Sequence, residues 1–351
     1  MPLTLEDIAR FSGFSRSTVS RVINGGDYVK EETRQRILDV IHEHNFQPNL
    51  GARSLAGGQT GVLGLVIPAA VSTIFTDPYF PQFIRGVSSG CNEHNYSMML
   101  WLAEPEHERR TMREILHNGL LDGVIVSSMI ISDPIFESLH GSKMPFILIG
   151  RHPTYEDVNY LDVDNIQSAS QAIRHLVSLG RRRIATITGP LNMIGGYDRY
   201  QGYLKGLEEQ DLPLLPELVA EGDFTETGGY HAMLQLLDAH PDAIFAASDM
   251  MAIGALRALR EANLRVPEDV AVIGYDDVPL ANMTEPPLTT IRQSIQNMGT
   301  IAVKTLVEII RNPNGGRQHI LVDTELVIRE SCGGRSRANL QNSLPIKTTG
   351  F

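Results

Sequence analysis

The 351-residue sequence contains little of what several protein classes require. Only two cysteines are present, Cys91 and Cys332, and they lie far apart, so the sequence indicates neither a disulfide scaffold nor a zinc site. No apolar run is long enough to cross a bilayer, and the first residues lack the basic and apolar regions of a secretion signal. We therefore expect a cytoplasmic protein with no membrane partner.

The sequence also lacks the common catalytic motifs. It contains no G-x-x-x-x-G-K-S/T phosphate loop, no G-x-G-x-x-G dinucleotide turn and no H-E-x-x-H zinc helix. The eleven histidines are scattered, and an isolated histidine is usually structural. We therefore predict no enzymatic activity, no catalytic residue, no cofactor and no metal.

The net charge of −11 argues against a nucleic-acid partner for the chain as a whole, because phosphate contacts require lysine and arginine. The charge is unevenly distributed, however. Residues 1–60 carry seven basic and seven acidic side chains, so the rest of the chain carries the whole negative excess. A DNA-binding segment therefore has to be identified from the positions of its arginines.

The first residues predict two short helices joined by a tight turn. Thr4 followed by Asp7 is close to a capping box, in which two side chains satisfy free backbone N–H groups at a helix start. Gly13 can adopt the positive φ that ends a helix, and Ser15 is a suitable cap for the next one. A third helix follows, with four apolar residues expected to point inward: Ile37, Leu38, Val40 and Ile41.

The second helix has one apolar and one polar face. Val19, Val22 and Ile23 have the spacing of a buried face. The opposite side carries side chains that can contact base edges or phosphates: Arg16, Ser17, Ser20, Arg21 and Asn24. The pattern predicts a helix-turn-helix, and spacing alone leaves open whether it binds DNA or is a small bundle with a solvated face.

A resemblance favours DNA binding. The beginning of the chain closely resembles the head of the LacI/GalR repressor family at an ordered set of positions: Thr4–Ala9, Gly13–Ser15, Thr18–Asn24, Thr33–Arg34, Phe46–Asn49 and Ala52–Leu55. The resemblance implies that the second helix enters the major groove and that Arg16, Ser17 and Arg21 read bases. The other head residues that it implies on DNA are Thr4, Thr18, Ser20 and Asn24. One departure is Lys30, where the family usually has a serine, so we expect a weaker cap on the third helix.

Residues 49–56 are long enough for at most two helical turns before a pair of glycines, and isolated helices shorter than ~12 residues are marginal in water. The resemblance implies that two such segments, one per subunit, fold together in the DNA minor groove, where Leu55 opens the central base step. The alternative is that Leu55 is an apolar linker residue. Asn49 and Arg53 are the other residues of this segment expected to contact DNA.

From residue 61 onward, short apolar runs alternate with helical patterns, which favours parallel strands with crossover helices. The predicted strands are 62–68, 98–102, 124–127, 146–150, 184–188, 244–247 and 270–275. The pattern occurs twice, on either side of about residue 162. The expected fold is an all-α helix-turn-helix head and hinge helix, followed by an α/β body of two similar parallel-sheet subdomains.

Ligands of open α/β sheets bind beyond the carboxyl ends of the strands. In this chain, polar residues that suit sugar hydroxyls follow the predicted strands: Ser127, Ser128, Arg151, His152, Ser248, Asp249, Asp276 and Asp277. An alternative for Asp249 is that it only caps the helix that follows.

The body also resembles the family, whose body is shared with periplasmic sugar-binding proteins. The matching positions are Asp77–Phe80, Val163–Asn165, His175–Leu176, Gly189–Pro190, Arg199, Gly202–Tyr203, Ser248–Asp249, Ala252–Gly254, Val266–Val270, Ile273–Asp277 and Leu288–Ile291. The resemblance implies that Arg199 and Asp276 are the main polar ligand contacts. It implies walls formed by Tyr79, Phe80 and Phe224, with further candidates at Ser127, Arg151, Asp164 and Asp249. Aromatic walls suit sugar and purine rings equally, so both ligand classes are open.

The expected domains are a helix-turn-helix domain over 1–47, a hinge over 48–60, an effector-binding and dimerisation domain over 61–331, and a polar tail over 332–351. The body divides into an N-subdomain, about 61–161 and 292–322, and a C-subdomain, about 162–291 and 323–331. The tail has no leucine heptads, so we expect a dimer rather than a tetramer.

These features predict a sequence-specific transcription regulator. It is expected to be a repressor that binds a near-palindromic operator in double-stranded DNA as a homodimer and is released by a mono- or oligosaccharide effector. One alternative is a repressor that needs a purine or another corepressor. Another is a solute-binding protein, which the DNA-binding head and the missing signal argue against.

Overall fold

The computed structural model describes residues 3–23, 28–46, 59–67, 71–101, 119–127 and 130–334. Its first part is a head of three helices, α1 (Leu5–Ser12), α2 (Arg16–Ile23) and α3 (Glu31–Glu43). The helices enclose a small core of Ile8, Val19, Val22, Ile37 and Phe46. The predicted helix-turn-helix is therefore present.

The predicted helix starts and ends of the head are confirmed. The Thr4 hydroxyl accepts a hydrogen bond from the Asp7 amide, and the Asp7 carboxylate accepts one from the Thr4 amide, which completes the capping box. Gly13 ends α1 with a φ of 76°, and the Ser15 hydroxyl accepts from the Thr18 amide at 3.2 Å. Lys30 precedes α3 without a capping hydrogen bond from its side chain, in agreement with the weaker cap expected where the family usually has a serine.

One expectation for α3 is wrong. Leu38 is 41% exposed, whereas Ile37 is fully buried and Val40 and Ile41 pack against the head core. Ile37, Val40 and Ile41 are spaced i, i+3 and i+4, so they share one face. Leu38 lies about 100° further around the helix and points away from that face.

The described part of the body has strands and helices in alternation. In chain order they are β1 (Val62–Val66), α4 (Val71–Thr76), α5 (Tyr79–Glu93), β2 (Ser97–Trp101), β3 (Gly123–Ser127), α6 (Pro134–His140), β4 (Phe146–Ile149), β5 (Tyr160–Val163), α7 (Asn165–Ser178), β6 (Ile184–Thr188), α8 (Ile194–Glu208), β7 (Val219–Glu221), α9 (Glu226–Leu236), β8 (Ala243–Ala246), α10 (Asp249–Glu261), β9 (Ala271–Asp276), β10 (Thr289–Gln293), α11 (Ile295–Arg311), β11 (His319–Val322) and β12 (Thr324–Val327). None of the described helices is both long and apolar enough to span a membrane.

The strands form two six-stranded sheets. The first has the order β11-β5-β4-β3-β1-β2 and is parallel, and β1 and β3 are buried along their whole length. We call this sheet, with α4, α5, α6 and α11, the first subdomain. Burial of entire strands follows from helices that cover both faces of a parallel sheet.

The second sheet has the order β12-β10-β9-β8-β6-β7, and only β12 among its strands runs antiparallel to its neighbour. With α7, α8, α9 and α10 it forms the second subdomain. The expected fold class, a helical head followed by two similar parallel-sheet subdomains, is confirmed. The sequence pattern did not predict β5, β7, β10, β11 or β12, because these strands are short and most carry polar residues.

The chain passes between the two sheets three times. It leaves the first sheet after β5, returns after β10, and leaves again between β11 and β12. These three crossings connect the subdomains. They also place the carboxyl ends of both sheets on either side of one cleft.

Candidate ligand cavity and nucleic-acid interface

A cavity of about 290 Å³ lies in the cleft between the subdomains. The lining residues of the first subdomain are Asp77, Tyr79, Phe80, Ser127, Ile130, Ile149, Gly150, Asp162 and Met298. The lining residues of the second subdomain are Asn165, Met193, Ile194, Gly195, Arg199, Asp223, Phe224, Ser248, Asp276 and Gln293. Its volume is at the lower end of the ~300–1,000 Å³ of small-molecule sites, so it suits a compact ligand.

Arg199 is a fixed cation in this cavity. It projects from α8, donates from Nε to the Asn165 side-chain oxygen at 2.9 Å, and donates from Nη1 to the Ala247 carbonyl at 2.6 Å. Its guanidinium carbon lies 3.8 Å from the centre of the Tyr275 ring. Because these contacts hold the planar group from several sides, Arg199 is oriented before any ligand binds.

Asp276 lies at the end of β9, with its Oδ1 atom 3.5 Å from Nη1 of Arg199. The same oxygen accepts a hydrogen bond from the Gln293 side chain at 2.6 Å. Burial raises the pKa of Asp276 to about 7, although Arg199 and Gln293 act in the opposite direction. The backbone at Asp276 has a φ of 114°, a conformation that L-residues rarely adopt and that is frequent at functional sites.

Asp162 is a second buried carboxylate of the cavity, and the sequence analysis missed it. It accepts hydrogen bonds from the backbone amides of Arg151 and Val163, at 2.9 and 2.8 Å, and from the Asn165 side chain at 3.0 Å. Burial raises its pKa to about 6. Asp162 lies near the carboxyl end of β5, and a position at a strand end is the feature that could have identified it. The sequence pattern did not predict β5, so it could not indicate this residue either.

Further cavity residues were also missed: Asp77, Asn165, Asp223 and Gln293. Asn165 begins α7, and its side chain joins Asp162 of one sheet to Arg199 of the other subdomain. Gln293 ends β10, where the chain crosses between the subdomains. Asn165 and Gln293 share the signal of a polar residue at the end of a strand or at the start of the helix that follows it, whereas Asp77 lies between the helices α4 and α5.

Aromatic side chains form part of the cavity wall. Tyr79 and Phe80 begin α5 and meet edge to face at 5.5 Å, and Phe224 lies on the opposite side in the second subdomain. Phe224 has a φ of 66°, and its ring lies against Gly189, where a Cβ atom would overlap with it. The absence of a side chain at Gly189 therefore gives Phe224 its place in the wall.

The fully buried hydroxyl of Ser127 has no hydrogen-bond partner within the described part of the chain. Ser127 ends β3 and lines the cavity. Buried polar groups are nearly always hydrogen-bonded, so an unpaired one needs an explanation. A ligand with its own hydroxyl groups would have the chemistry to supply such a partner.

The structure brings six of the nine sequence-predicted ligand residues to the cavity: Tyr79, Phe80, Ser127, Arg199, Phe224 and Asp276. The other three, Arg151, Asp164 and Asp249, lie outside its lining. Arg151 turns to Asp198 on α8. Asp164 is exposed and caps α7 by accepting from the Gln167 amide.

Asp249 is buried in the second subdomain rather than exposed to the cavity. Its carboxylate accepts from the Val278 amide at 2.8 Å and from the Thr290 hydroxyl at 2.5 Å, and burial raises its pKa well above the usual range. The interpretation of Asp249 as a helix cap is wrong, because Ser248 caps α10 through the Met251 amide. Ser248, one residue earlier, lines the cavity instead.

The polar face of α2 is the candidate nucleic-acid interface. Arg16, Ser17 and Arg21 are exposed, whereas Val19 and Val22 on the other side are buried. Thr18 and Ser20 are half-buried, and the Thr4 hydroxyl is used in the capping box of α1. The predicted DNA contacts at Asn24, Asn49, Arg53 and Leu55 lie outside the described residues.

An acidic side chain adjoins this face. Nε of Arg16 lies 3.1 Å from Oε1 of Glu6 on α1, and both side chains are more than half exposed. Guanidinium nitrogens can bind guanine O6 and N7 in the major groove, so the exposed face has the chemistry of base recognition.

Comparison with known proteins finds two matching families. A model described as bacterial regulatory proteins, lacI family, matches residues 4–49. A model described as a periplasmic binding protein-like domain matches residues 173–332. The first match covers the three-helix head, and the second covers most of the second subdomain with α11 and β11.

Two characterised relatives match nearly the whole chain. The transcriptional regulator CelR of Thermobifida fusca is 38% identical over 332 residues, which are 93% of this chain and 98% of CelR. The ribose operon repressor of Escherichia coli (strain K12) is 34% identical over 332 residues, 93% of this chain and 99% of that protein.

Solved structures agree with these matches. A CelR–cellobiose complex has a TM-score of 0.74 at 37% identity, over 94% of this chain and 99% of that chain. A lac repressor dimer bound to operator and the anti-inducer ONPF has a TM-score of 0.79 at 28% identity, over 95% of this chain and 99% of that chain. The agreement extends over head and body together.

Proposed function

The chain belongs to the lacI family of bacterial regulatory proteins and regulates transcription, and from this premise we propose that it is a cytoplasmic repressor. The repressor binds a near-palindromic operator as a homodimer, and a neutral sugar releases it from the DNA. The family regulates transcription and does not catalyse a reaction. One observation carries the proposal. The same chain contains a helix with Arg16, Ser17 and Arg21 exposed and a separate body that encloses a polar and aromatic cavity.

The proposed base-reading residues are Arg16, Ser17 and Arg21. A two-fold dimer presents two copies of α2, which accounts for two half-sites of opposite orientation in the operator. The proposed contacts that position the head on the DNA are Thr4, Thr18, Ser20, Asn24, Asn49 and Arg53, with Leu55 inserted at the central base step. The lac repressor structure, a dimer on operator DNA, supports this arrangement by similarity.

The charges of the cavity favour a neutral effector over an anionic one. Among the described residues, four carboxylates line the cavity, at Asp77, Asp162, Asp223 and Asp276, against one guanidinium, that of Arg199. That guanidinium is already bonded to Asn165 and Ala247. A phosphate or carboxylate on the ligand would meet excess negative charge, whereas sugar hydroxyls can donate to carboxylates and fill the vacant hydrogen bond of Ser127.

The similar proteins agree with a sugar. CelR has been solved with cellobiose, and another relative is named a ribose operon repressor. The aromatic walls at Tyr79, Phe80 and Phe224 also suit a purine, and relatives named PurR are among the matches. The sugar is preferred because ionised carboxylates only accept hydrogen bonds, and the several hydroxyls of a sugar offer more donors to them than the N–H groups of a purine ring.

Linkage between the two sites follows from the position of the cavity. Because the cavity lies between the subdomains, a bound effector favours one of their relative orientations and so alters how the two heads are held. The effector then weakens operator binding, and operator weakens effector binding by the same factor. For a corepressor the sign of both effects is reversed.

The DNA part of the proposal is tested with the full-length protein on its operator fragment and on a scrambled fragment. We expect Arg21→Ala to lose the preference for operator and to retain sugar binding, and Asp276→Ala to do the opposite. Arg317→Ala, which removes an exposed arginine of the body, is the matched control for Arg21. Unchanged operator preference in Arg21→Ala would contradict the assignment of α2 as the helix that reads the bases.

The ligand part is tested by thermal shift with cellobiose, ribose, glucose 6-phosphate and hypoxanthine, because a ligand that binds the folded protein raises its melting temperature. We expect a shift with a neutral sugar and none with glucose 6-phosphate. A shift with hypoxanthine that also strengthens operator binding would replace the inducer model with a corepressor.

A further inference from the structure

An ion pair connects the two subdomains beside the cavity. Arg151 follows β4 in the first subdomain, and Asp198 lies on α8 in the second. Nε of Arg151 donates to Oδ2 of Asp198 at 2.8 Å, and Nη2 donates to Oδ1 at 2.5 Å. Two parallel hydrogen bonds between a guanidinium and a carboxylate form a strong and directional contact. We call Arg151 and Asp198 the cross-cleft ion pair.

The burial of the two partners determines what the pair does. The Asp198 side chain is 4% exposed, whereas that of Arg151 is 35% exposed. A buried carboxylate that loses its cation is strongly unfavourable, because it has given up water without compensation. The arrangement in which the two subdomains are in contact here therefore depends on Arg151. Separation of the subdomains would return both groups to water.

The cross-cleft ion pair is joined to the cavity by a continuous series of hydrogen bonds. The Arg151 amide donates to Asp162, the Asn165 side chain donates to the same carboxylate, and Nε of Arg199 donates to Asn165. Asp162, Asn165 and Arg199 line the cavity, but Arg151 and Asp198 do not. The pair therefore acts on the cavity by holding its two sides in place.

A backbone contact crosses the cleft at the same edge. The Ile131 amide donates to the Asn192 carbonyl at 2.8 Å, and Ile130 forms a short antiparallel bridge with Met193. Ile131 belongs to the first subdomain and Asn192 precedes α8 of the second. Because this hydrogen bond exists only while the subdomains are close, the Ile131 amide reports directly on their separation.

We propose that Arg151 and Asp198 are positioning residues that hold the two subdomains closed around the effector without contacting it. The pair stabilises the closed arrangement in the absence of ligand, so a smaller part of the effector's binding energy is needed for closure. The part of this proposal that concerns the effector rests on the proposed function. The part that concerns closure of the cleft is independent of the proposed function.

The test measures amide hydrogen exchange in the full-length, ligand-free protein. We expect Arg151→Met to raise the exchange rate of the Ile131 amide about tenfold, as the loss of a hydrogen-bonded charged partner implies. Asp198→Asn should have a similar effect, and Arg151→Lys should retain part of the protection, since a lysine keeps the charge but not the two parallel bonds. The double variant Arg151→Met, Asp198→Asn should be no worse than either single one.

Arg174→Met is the matched control. Arg174 and Glu209 form an ion pair of 2.6 Å within the second subdomain, so its loss removes a comparable contact that does not cross the cleft. Unchanged Ile131 exchange in Arg151→Met overturns the proposal. So does an equal increase in Arg174→Met, or additive effects of the two cross-cleft substitutions.

A second measurement separates this proposal from the proposed function. Where cellobiose or ribose binds the wild-type protein, we expect its Kd to rise by up to about tenfold in Arg151→Met, because binding requires the closed arrangement. An unchanged Kd overturns the positioning role. If neither sugar binds, the sugar assignment fails, and the Ile131 exchange still decides whether the ion pair closes the cleft.

Discussion

The ring of Phe224 packs directly against Gly189 and occupies the space that a Cβ atom at that position would need. A methyl group at Gly189 would displace the ring, and Phe224 is already held at a φ of 66°. We expect Gly189→Ala to weaken effector binding by about tenfold or more, since a displaced wall removes contacts over a whole ring face. Isothermal titration with the sugar that gives a thermal shift checks this.

Gly316→Ala is the control for Gly189→Ala. A Cβ atom at Gly316 would meet no other atom within 4 Å, so the same chemical change there causes no displacement. Equal effector affinity in Gly189→Ala and Gly316→Ala would show that the position of the Phe224 ring does not matter for binding.

Two cavity residues could be predicted because they follow clear apolar strand patterns, whereas Arg199 and the aromatic walls were indicated only by the resemblance. Ser127 and Asp276 stand at the ends of β3 and β9, whose strand patterns are clear in the sequence. Asp162 could not be predicted in this way, because β5 has only four residues and contains the aspartate itself. A single polar residue in so short a run removes the hydrophobic signal that identifies a strand.

The pKa of Asp276 leads to a prediction about stability and pH. Burial raises this pKa to about 7 in the folded protein, so the folded state binds a proton that the unfolded state releases at lower pH. The stability that results is fully present below about pH 4 and is lost as the pH rises to about 7. We expect Asp276→Asn, which stays neutral, to gain melting temperature relative to the wild type between these limits.

The measurement is the difference in melting temperature between Asp276→Asn and the wild type across that pH range. Only the slope of the difference matters, because a constant offset reflects altered packing. Asp238→Asn, at an exposed carboxylate, controls for the change in net charge. A difference that stays flat with pH, or one that matches the control, would contradict the assignment of the raised pKa to Asp276.

The placement of Arg151 shows a different limit of the sequence. Its position after β4 was predicted correctly, but its side chain could turn either into the cavity or toward the opposite subdomain. The choice depends on Asp198, 47 residues later in the chain. A contact between residues so far apart is decided by tertiary packing, which strand and helix patterns do not encode.

We predict that Glu6 competes with DNA for Arg16. Its carboxylate lies 3.1 Å from the Arg16 guanidinium, on the face proposed to meet the negatively charged phosphates. We expect Glu6→Gln to bind both operator and random DNA about two- to fivefold more tightly, in keeping with the small energy of an exposed ion pair. Fluorescence anisotropy at a fixed salt concentration measures both affinities.

Glu43→Gln supplies the comparison for Glu6→Gln. It removes the same charge from the head, but Glu43 lies in the last turn of α3 rather than beside Arg16. Similar gains in both variants would mean that overall charge, not the contact with Arg16, limits DNA binding.

The start of α3 offers a direct way to stabilise the head. The Lys30 side chain makes no capping hydrogen bond to the first turn of this helix, whereas the hydroxyls of Thr4 and Ser15 cap α1 and α2. A serine at this position can accept one of the free amides, so we expect Lys30→Ser to stabilise the helix by about 1 kcal/mol. Amide exchange in α3 of the full-length protein should slow about fivefold, the factor that corresponds to this energy. Lys30→Ala removes the same charge without an acceptor, so equal exchange in the two variants would show that the missing cap costs the head nothing.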